Sequence, residues 1–160
     1  MNHKKCESEV SPIYFYGPVG RHGFLSNFYK SPFEFDGEVW PTMEHYFQAT
    51  KTTNEVERDW IRNLKSPGAA RSFGHGLVVS GEWEDRQEEL MYRGLLAKFS
   101  NPELGLRLFN TGHIQLIANS PGDYYWGTGS DGTGKNRLGI LMTRLRYQIG
   151  NVIGFYSKFQ

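Results

Sequence analysis

Two segments hold most of the side chains that could do chemistry. The first runs from Asp123 to Arg137 and packs two carboxylates, three aromatic rings, four glycines, a lysine and an arginine together. Closely spaced glycines make a poor helix or strand, because glycine loses the most backbone entropy on ordering. They suit a loop whose backbone approaches a ligand, here with Tyr124, Tyr125 and Trp126 beside it. The loop feeds an apolar-periodic helix, and a helix N-terminus with free N–H groups is an anion site. A small phosphorylated or carbonyl-rich ligand is therefore expected. The second segment is Met43 to Thr52, where Glu44, Gln48 and Lys51 fall at i, i+4 and i+7 and share a helical face. A carboxylate, an amide and an amine there form a workable acid/base and nucleophile set. Charged faces are ordinarily just solvated, but a short helix this rich in aromatics must bury much of its surface. Both readings stay open on pattern alone.

Other signals are weaker. Ser26 and Asn27 lie in a loop, Arg21 to Phe28, where they can bond a sugar or base edge or simply make a turn. His45 adjoins Glu44, but helical neighbours point about 100° apart, so a packed core histidine is expected. His22, His75 and His113 are read as lying in glycine-rich turns without metal-ligand spacing, and no metal is expected. Gly129 to Lys135 fits the first seven positions of a P-loop, but Asn136 stands where Ser or Thr would hold magnesium, and no strand signal precedes it. Neither a G-x-S-x-G elbow nor a usable Cys–His pair is present.

These residues need a scaffold. Ile13 to Tyr16 reads as a buried strand. Asp36-Gly37 between Phe33–Phe35 and Glu38–Trp40 is a strong hairpin signal. Thr42 caps a helix to about Thr52, Val56 to Leu64 forms a second with Val56, Trp60 and Leu64 in register, and Ser66-Pro67 opens a third. Glu82 to Phe99 is the longest, Asn101-Pro102 opens the next, and Gly112 ends it. A strand over Ile114 to Ala118 and a last helix marked by Leu138, Leu141, Met142, Leu145 and Ile149 complete the order. That order gives α+β with a small sheet rather than regular βαβ winding. A chain of 160 residues is one domain, with residues 1–11 a loose leader, 12–150 the domain and 151–160 a tail. Net charge of +1 gives no long-range pull on nucleic acid or membrane. No apolar run spans a bilayer, and the single Cys6 cannot form an internal disulfide, so a cytoplasmic protein is expected.

Leu25-Ser26-Asn27-Phe28, the block Trp40 to Lys51, Lys98-Phe99, Asp123 to Gly127 and Gly132 to Gly139 together resemble the NADAR/YbiA-like family, in order from about residue 13 to 148. The resemblance implies a compact α+β domain and N-glycosidase chemistry without a cofactor. The substrates it implies are ribosylamino intermediates of the early riboflavin pathway, small and phosphorylated, or ADP-ribosylated guanine in DNA or RNA. It implies Glu44, Lys51 and Asp123 as catalytic residues. Ser26, Asn27, Phe28, Tyr46, Phe47 and Gln48 would bind substrate, with Tyr124, Tyr125 and Trp126 stacking on the base. Gly127, Gly129, Gly134 and Lys135 would hold phosphate, and Asn136 and Arg137 complete that motif. Where many relatives carry Asp after Tyr-Trp-Gly, this chain has Thr128, with Asp131 as a partial replacement. The alternative is a non-catalytic module that binds ADP-ribose or a nucleotide and needs neither Glu44 nor Lys51.

Overall fold

The computed structural model describes residues 11–156. The expected leader, with Cys6, lies outside the described residues except for Ser11. Strand β1 (Ile13–Phe15) pairs in parallel with β4 (Leu116–Ala118), Ile13 opposite Leu116 and Phe15 opposite Ala118. Strands β2 (Phe33–Phe35) and β3 (Glu38–Trp40) form an antiparallel hairpin. Asp36 and Gly37, at φ 52° and 78°, supply the two left-handed residues that such a turn requires. Between β3 and β4 come α1 (Met43–Ala49), α2 (Glu55–Arg62), α3 (Pro67–His75), α4 (Gly81–Phe99) and α5 (Pro102–Phe109); α6 (Arg137–Tyr156) closes the chain. The expected α+β class is the observed one. Strand β4 is shorter than Ile114–Ala118, and α6 continues to Tyr156, into the stretch expected as a tail.

The helix starts follow local chemistry. Thr42, Asn54, Ser66, Ser80 and Asn101 each accept a hydrogen bond from a backbone N–H of the first turn that follows. Helix α1 is only seven residues long, too short to hold itself together in water. Packing does it instead: α1 lies against α2, α3 and α4, and all seven residues are buried. Buried polar groups are in the great majority hydrogen-bonded to a partner. His45 has one on each ring nitrogen, Thr42 Oγ1 at 2.8 Å and the Leu64 carbonyl at 3.1 Å, as a core histidine should. Tyr46 sits edge-on to Phe33, Phe35 and Trp40 and donates to the Leu90 carbonyl.

Helix α2 departs from expectation. Val56 and Trp60 are 78% and 60% exposed, while Ile61 is the residue that enters the core. The inward face of α2 is partly cationic: Arg58 and Arg62 lie over the Trp40 ring and pair with Glu38 of the hairpin. The apolar spacing of Val56 and Trp60 therefore marks the solvent side.

Candidate functional site

Parallel pairing sends the C-terminal ends of β1 and β4 to the same edge, where ligands of open α/β sheets also collect. A cavity of about 490 Å³ opens there. Residues after β1 (Tyr16 to Pro18) and after β4 (Ser120, Asp123) form one side. Helix α1 supplies Glu44, Phe47 and Gln48, with Lys51 just beyond its end. Arg71 and His75 come from α3, and Trp83, Gln87 and Met91 from α4. Phe47 meets Trp83 and Trp126 at ring-centroid distances of 5.6 and 5.3 Å, so the walls are aromatic.

Glu44 is 6% exposed and accepts a 2.8 Å hydrogen bond from Gln48 Nε2. Burial pushes its carboxyl above the usual carboxylate range; the Gln48 bond, Arg71 and Lys51 pull the other way, less strongly. Lys51 Nζ donates to the Gly74 carbonyl at 3.3 Å and lies over the Trp83 ring. Burial lowers its pKa, Glu44 opposes, and Arg71 adds to the lowering. Lys135 takes no part in this: it is exposed and lies over the Tyr125 ring. Asp123 Oδ1 accepts from the Tyr125 and Trp126 amides at 3.0 and 2.7 Å, which fixes the carboxylate at the cavity edge. Two buried amide oxygens, Asn27 Oδ1 and Gln48 Oε1, have no protein donor, and both residues line the cavity.

The Ser26–Phe28 wall is anchored from behind. Lys98, 1% exposed, donates to the Phe24 and Ser26 carbonyls at 2.8 and 2.9 Å. Burial pushes its ammonium down to about 7. The Asn27 carbonyl in turn accepts from the Glu44 amide at 3.0 Å, so loop and α1 are tied together.

Of the residues expected in the site, the cavity brings together Ser26, Asn27, Phe28, Glu44, Phe47, Gln48, Lys51, Asp123, Trp126 and Gly127. Tyr46 lies outside it, in the aromatic cluster under the hairpin. Tyr124 is half-exposed and its hydroxyl meets Ser130 Oγ. Tyr125 and Arg137 both bond Glu88. Asn136 bridges to β4, taking the Ala118 amide and giving to the Leu116 carbonyl. Gly129, Gly134 and Lys135 do not line the cavity either. Their amides, with those of Asn136, Arg137 and Leu138, donate to carbonyls of the same loop: Gly134 to Thr128, Lys135 to Tyr124, Asn136 to Gly127. The N–H groups of Gly129, Gly134 and Lys135, expected to face a phosphate, are therefore already used, while Gly127 of the same expected set lines the cavity. Asp131 is exposed and bonded to Thr133, so it does not bring an acid to the cavity. Arg71, His75, Trp83, Gln87 and Met91 were not anticipated. For the first two a signal existed, since Arg71 and His75 are i, i+4 on a helix whose Ser-Pro start is legible; His75 belongs to that helix rather than to a turn.

The NADAR domain family model matches residues 14–150, and the chain belongs to that family. N-glycosidase YbiA of Escherichia coli (strain K12) is 41% identical over 140 residues, covering 86% of this chain and 88% of that protein. The NMR structure of E. coli YbiA superposes with a TM-score of 0.80, covering 88% of this chain and 85% of that one. A riboflavin biosynthesis protein of Vibrio vulnificus is 35% identical over 86% of this chain, which spans 38% of that longer protein. The reaction class is accordingly that of an N-glycosyl hydrolase. No helix among the described residues is long and apolar enough to cross a membrane.

Proposed function

We propose that this cavity hydrolyses the ribose C1′–nitrogen bond of a ribosylamino or ADP-ribosylamino base, with Glu44, Lys51 and Asp123 as the catalytic residues. The observation that carries this reading is a buried carboxyl and a partly buried amine on one helical face, opposite a carboxylate, between aromatic walls. Cleavage passes through an oxocarbenium-like state with positive charge near C1′, which a carboxylate such as Asp123 stabilises. The departing nitrogen must gain a proton, and a carboxyl held above its ordinary pKa, as Glu44 is, suits that donation.

Lys51 supports a covalent route. An exocyclic ribosylamine opens to an imine at C1′. The neutral Lys51 amine adds to that carbon, the base leaves as its free amine, and Lys51 stays joined to the sugar as a Schiff base. Water then adds to C1′ and releases the sugar aldehyde and the lysine. Burial and Arg71 favour the neutral amine that the first step needs. Trp126 and Phe47 would face the base, and the unpaired oxygens of Asn27 and Gln48 would accept from its amino groups or from sugar hydroxyls. We place the enzyme in the cytoplasm, on the absence of a long apolar run and the lone Cys6. A non-catalytic nucleotide-binding module would give no reason to bury Glu44 beside Lys51.

The test is base release from a ribosylamino pyrimidine phosphate and from ADP-ribosylated guanine. Glu44→Gln should keep ligand affinity and lose at least ~100-fold in turnover, the low end for acid/base catalysis. Near-normal turnover in that variant removes Glu44 from the mechanism.

A further inference from the structure

We propose that Arg71, with His75 one helical turn away, binds the phosphate monoester of a ribosyl phosphate substrate. The inference rests on the N-glycosidase reading and names the residues that would hold the substrate's phosphate.

The glycine-rich loop makes a poor anion site, because its amides at Gly129 and from Gly134 to Leu138 are spent on carbonyls of the same segment. The cationic part of the cavity lies on α3 instead. Arg71 is half-buried, lines the cavity, and has no carboxylate or carbonyl acceptor among the described residues. Several other arginines are engaged: Arg58 and Arg62 with Glu38, Arg137 with Glu88, Arg146 with Thr111 and the Ile114 carbonyl. The acids that share its cavity do not neutralise it. Glu44 is bonded to Gln48 and held toward its protonated form, while Asp123 spends one oxygen on two amides. A guanidinium with its donors free, at the wall of a cavity of about 490 Å³, is suited to bidentate capture of a phosphate. His75 borders the same space from the same face of α3 and adds a ring N–H. Lys51 is held apart on the Gly74 carbonyl, so phosphate capture and amine chemistry fall to different residues. A cavity of this volume suits one compact ligand.

The experiment pairs binding with turnover. Quenching of Trp83 and Trp126 fluorescence reports binding of ribose 5-phosphate, ribose and ADP-ribose. Ribose 5-phosphate should bind ~10- to 150-fold tighter than ribose, the range for hydrogen bonds to a charged group, and Arg71→Met should abolish that difference. The kcat/KM ratio for phosphorylated over dephosphorylated ribosylamino pyrimidine should fall by a similar factor, carried by KM, and Arg71→Lys should restore part of it. If Arg71→Met does not fold, the wild-type ribose comparison and Arg71→Lys still decide. The proposal is overturned if ribose 5-phosphate and ribose bind alike, if Arg71→Met leaves the substrate ratio unchanged, or if it weakens ADP-ribose but not ribose 5-phosphate. If ribose 5-phosphate binds through Arg71 and no base is released from any substrate, the N-glycosidase reading fails and the phosphate site stands.

Discussion

Gly74→Ala puts stability and catalysis in competition at one contact. A Cβ at Gly74 would clash with Gln48 Oε1 and lie 2.8 and 2.9 Å from Gln48 Cδ and Cβ. The side-chain end can swing away, but Cβ cannot, and Gln48 is 4% exposed with little room to move. Alanine in a helix interior gains about 1 kcal/mol over glycine. Overpacking a filled site costs about 1–3 kcal/mol. Losing the Gln48–Glu44 bond adds about 1 kcal/mol. The net is a destabilisation of roughly 1–3 kcal/mol, or a Tm lower by roughly 2–12 °C for a chain of this size. The catalytic effect is separate. Gln48 is the hydrogen-bond partner that orients Glu44, and any shift of α3 also moves the Gly74 carbonyl that holds Lys51. A misplacement worth 1.4–2.7 kcal/mol in the transition state lowers kcat about 10- to 100-fold. Thermal unfolding by circular dichroism and base release measure the two effects independently. In the double variant Gly74→Ala, Gln48→Ala, stability should recover part of the sum of the single losses, because the Oε1 and Cδ contacts are gone and only the Cβ contact remains. A Tm equal to or above wild type with full kcat would refute the reasoning, since it would show that Gln48 moves aside freely and does not position Glu44.

Three further outcomes are expected. Trp126→Ala should weaken ligand binding by ~1–3 kcal/mol, the range for base–aromatic stacking, whereas unchanged affinity with lower thermal stability would make Trp126 a core residue. Borohydride added during turnover should leave a sugar adduct on Lys51, and Lys51→Arg should lose both adduct and activity; full activity in Lys51→Arg would favour direct attack by water beside Glu44. Lys98 gives a pH dependence: with its pKa pushed down to about 7 in the fold, the unfolded chain binds more protons above that pH, so stability rises from pH 7 toward 10.5. Between pH 7 and 9 that gain is at most about 2 kcal/mol, reduced by the two carbonyls that favour the ammonium, and a urea-midpoint difference between wild type and Lys98→Met that is flat across this window would exclude it.

What could be read from the sequence was the local chemistry. Thr42, Ser66 and Asn101 cap helices through atoms two or three residues away, so their signals need no tertiary structure. The shared face of Glu44, Gln48 and Lys51 follows from helical periodicity alone, and all three line the cavity. The missed features are long-range. Pairing of Ile13 with Leu116 joins distant parts of the chain, and no local pattern announces a parallel partner. Arg71 reaches the cavity only because α3 packs on α1, with Gly74 at the contact.

The glycine-rich loop shows most clearly why residue type underdetermines a site. Glycines free a backbone to approach a ligand, but they equally free it to fold back on its own carbonyls. Here the amides of Gly134, Lys135, Asn136, Arg137 and Leu138 take the second course, and Asn136 uses both ends of its side chain to fasten the loop to β4. The loop thus sets Asp123, Trp126 and Gly127 at the cavity edge by hydrogen bonds within itself. The same bonding explains why Lys135 and Arg137, the cations that catch the eye in the motif, point to Tyr125 and Glu88. The cavity-lining cation without a protein acceptor among the described residues is Arg71, on a helix whose sequence announces a cap and little else.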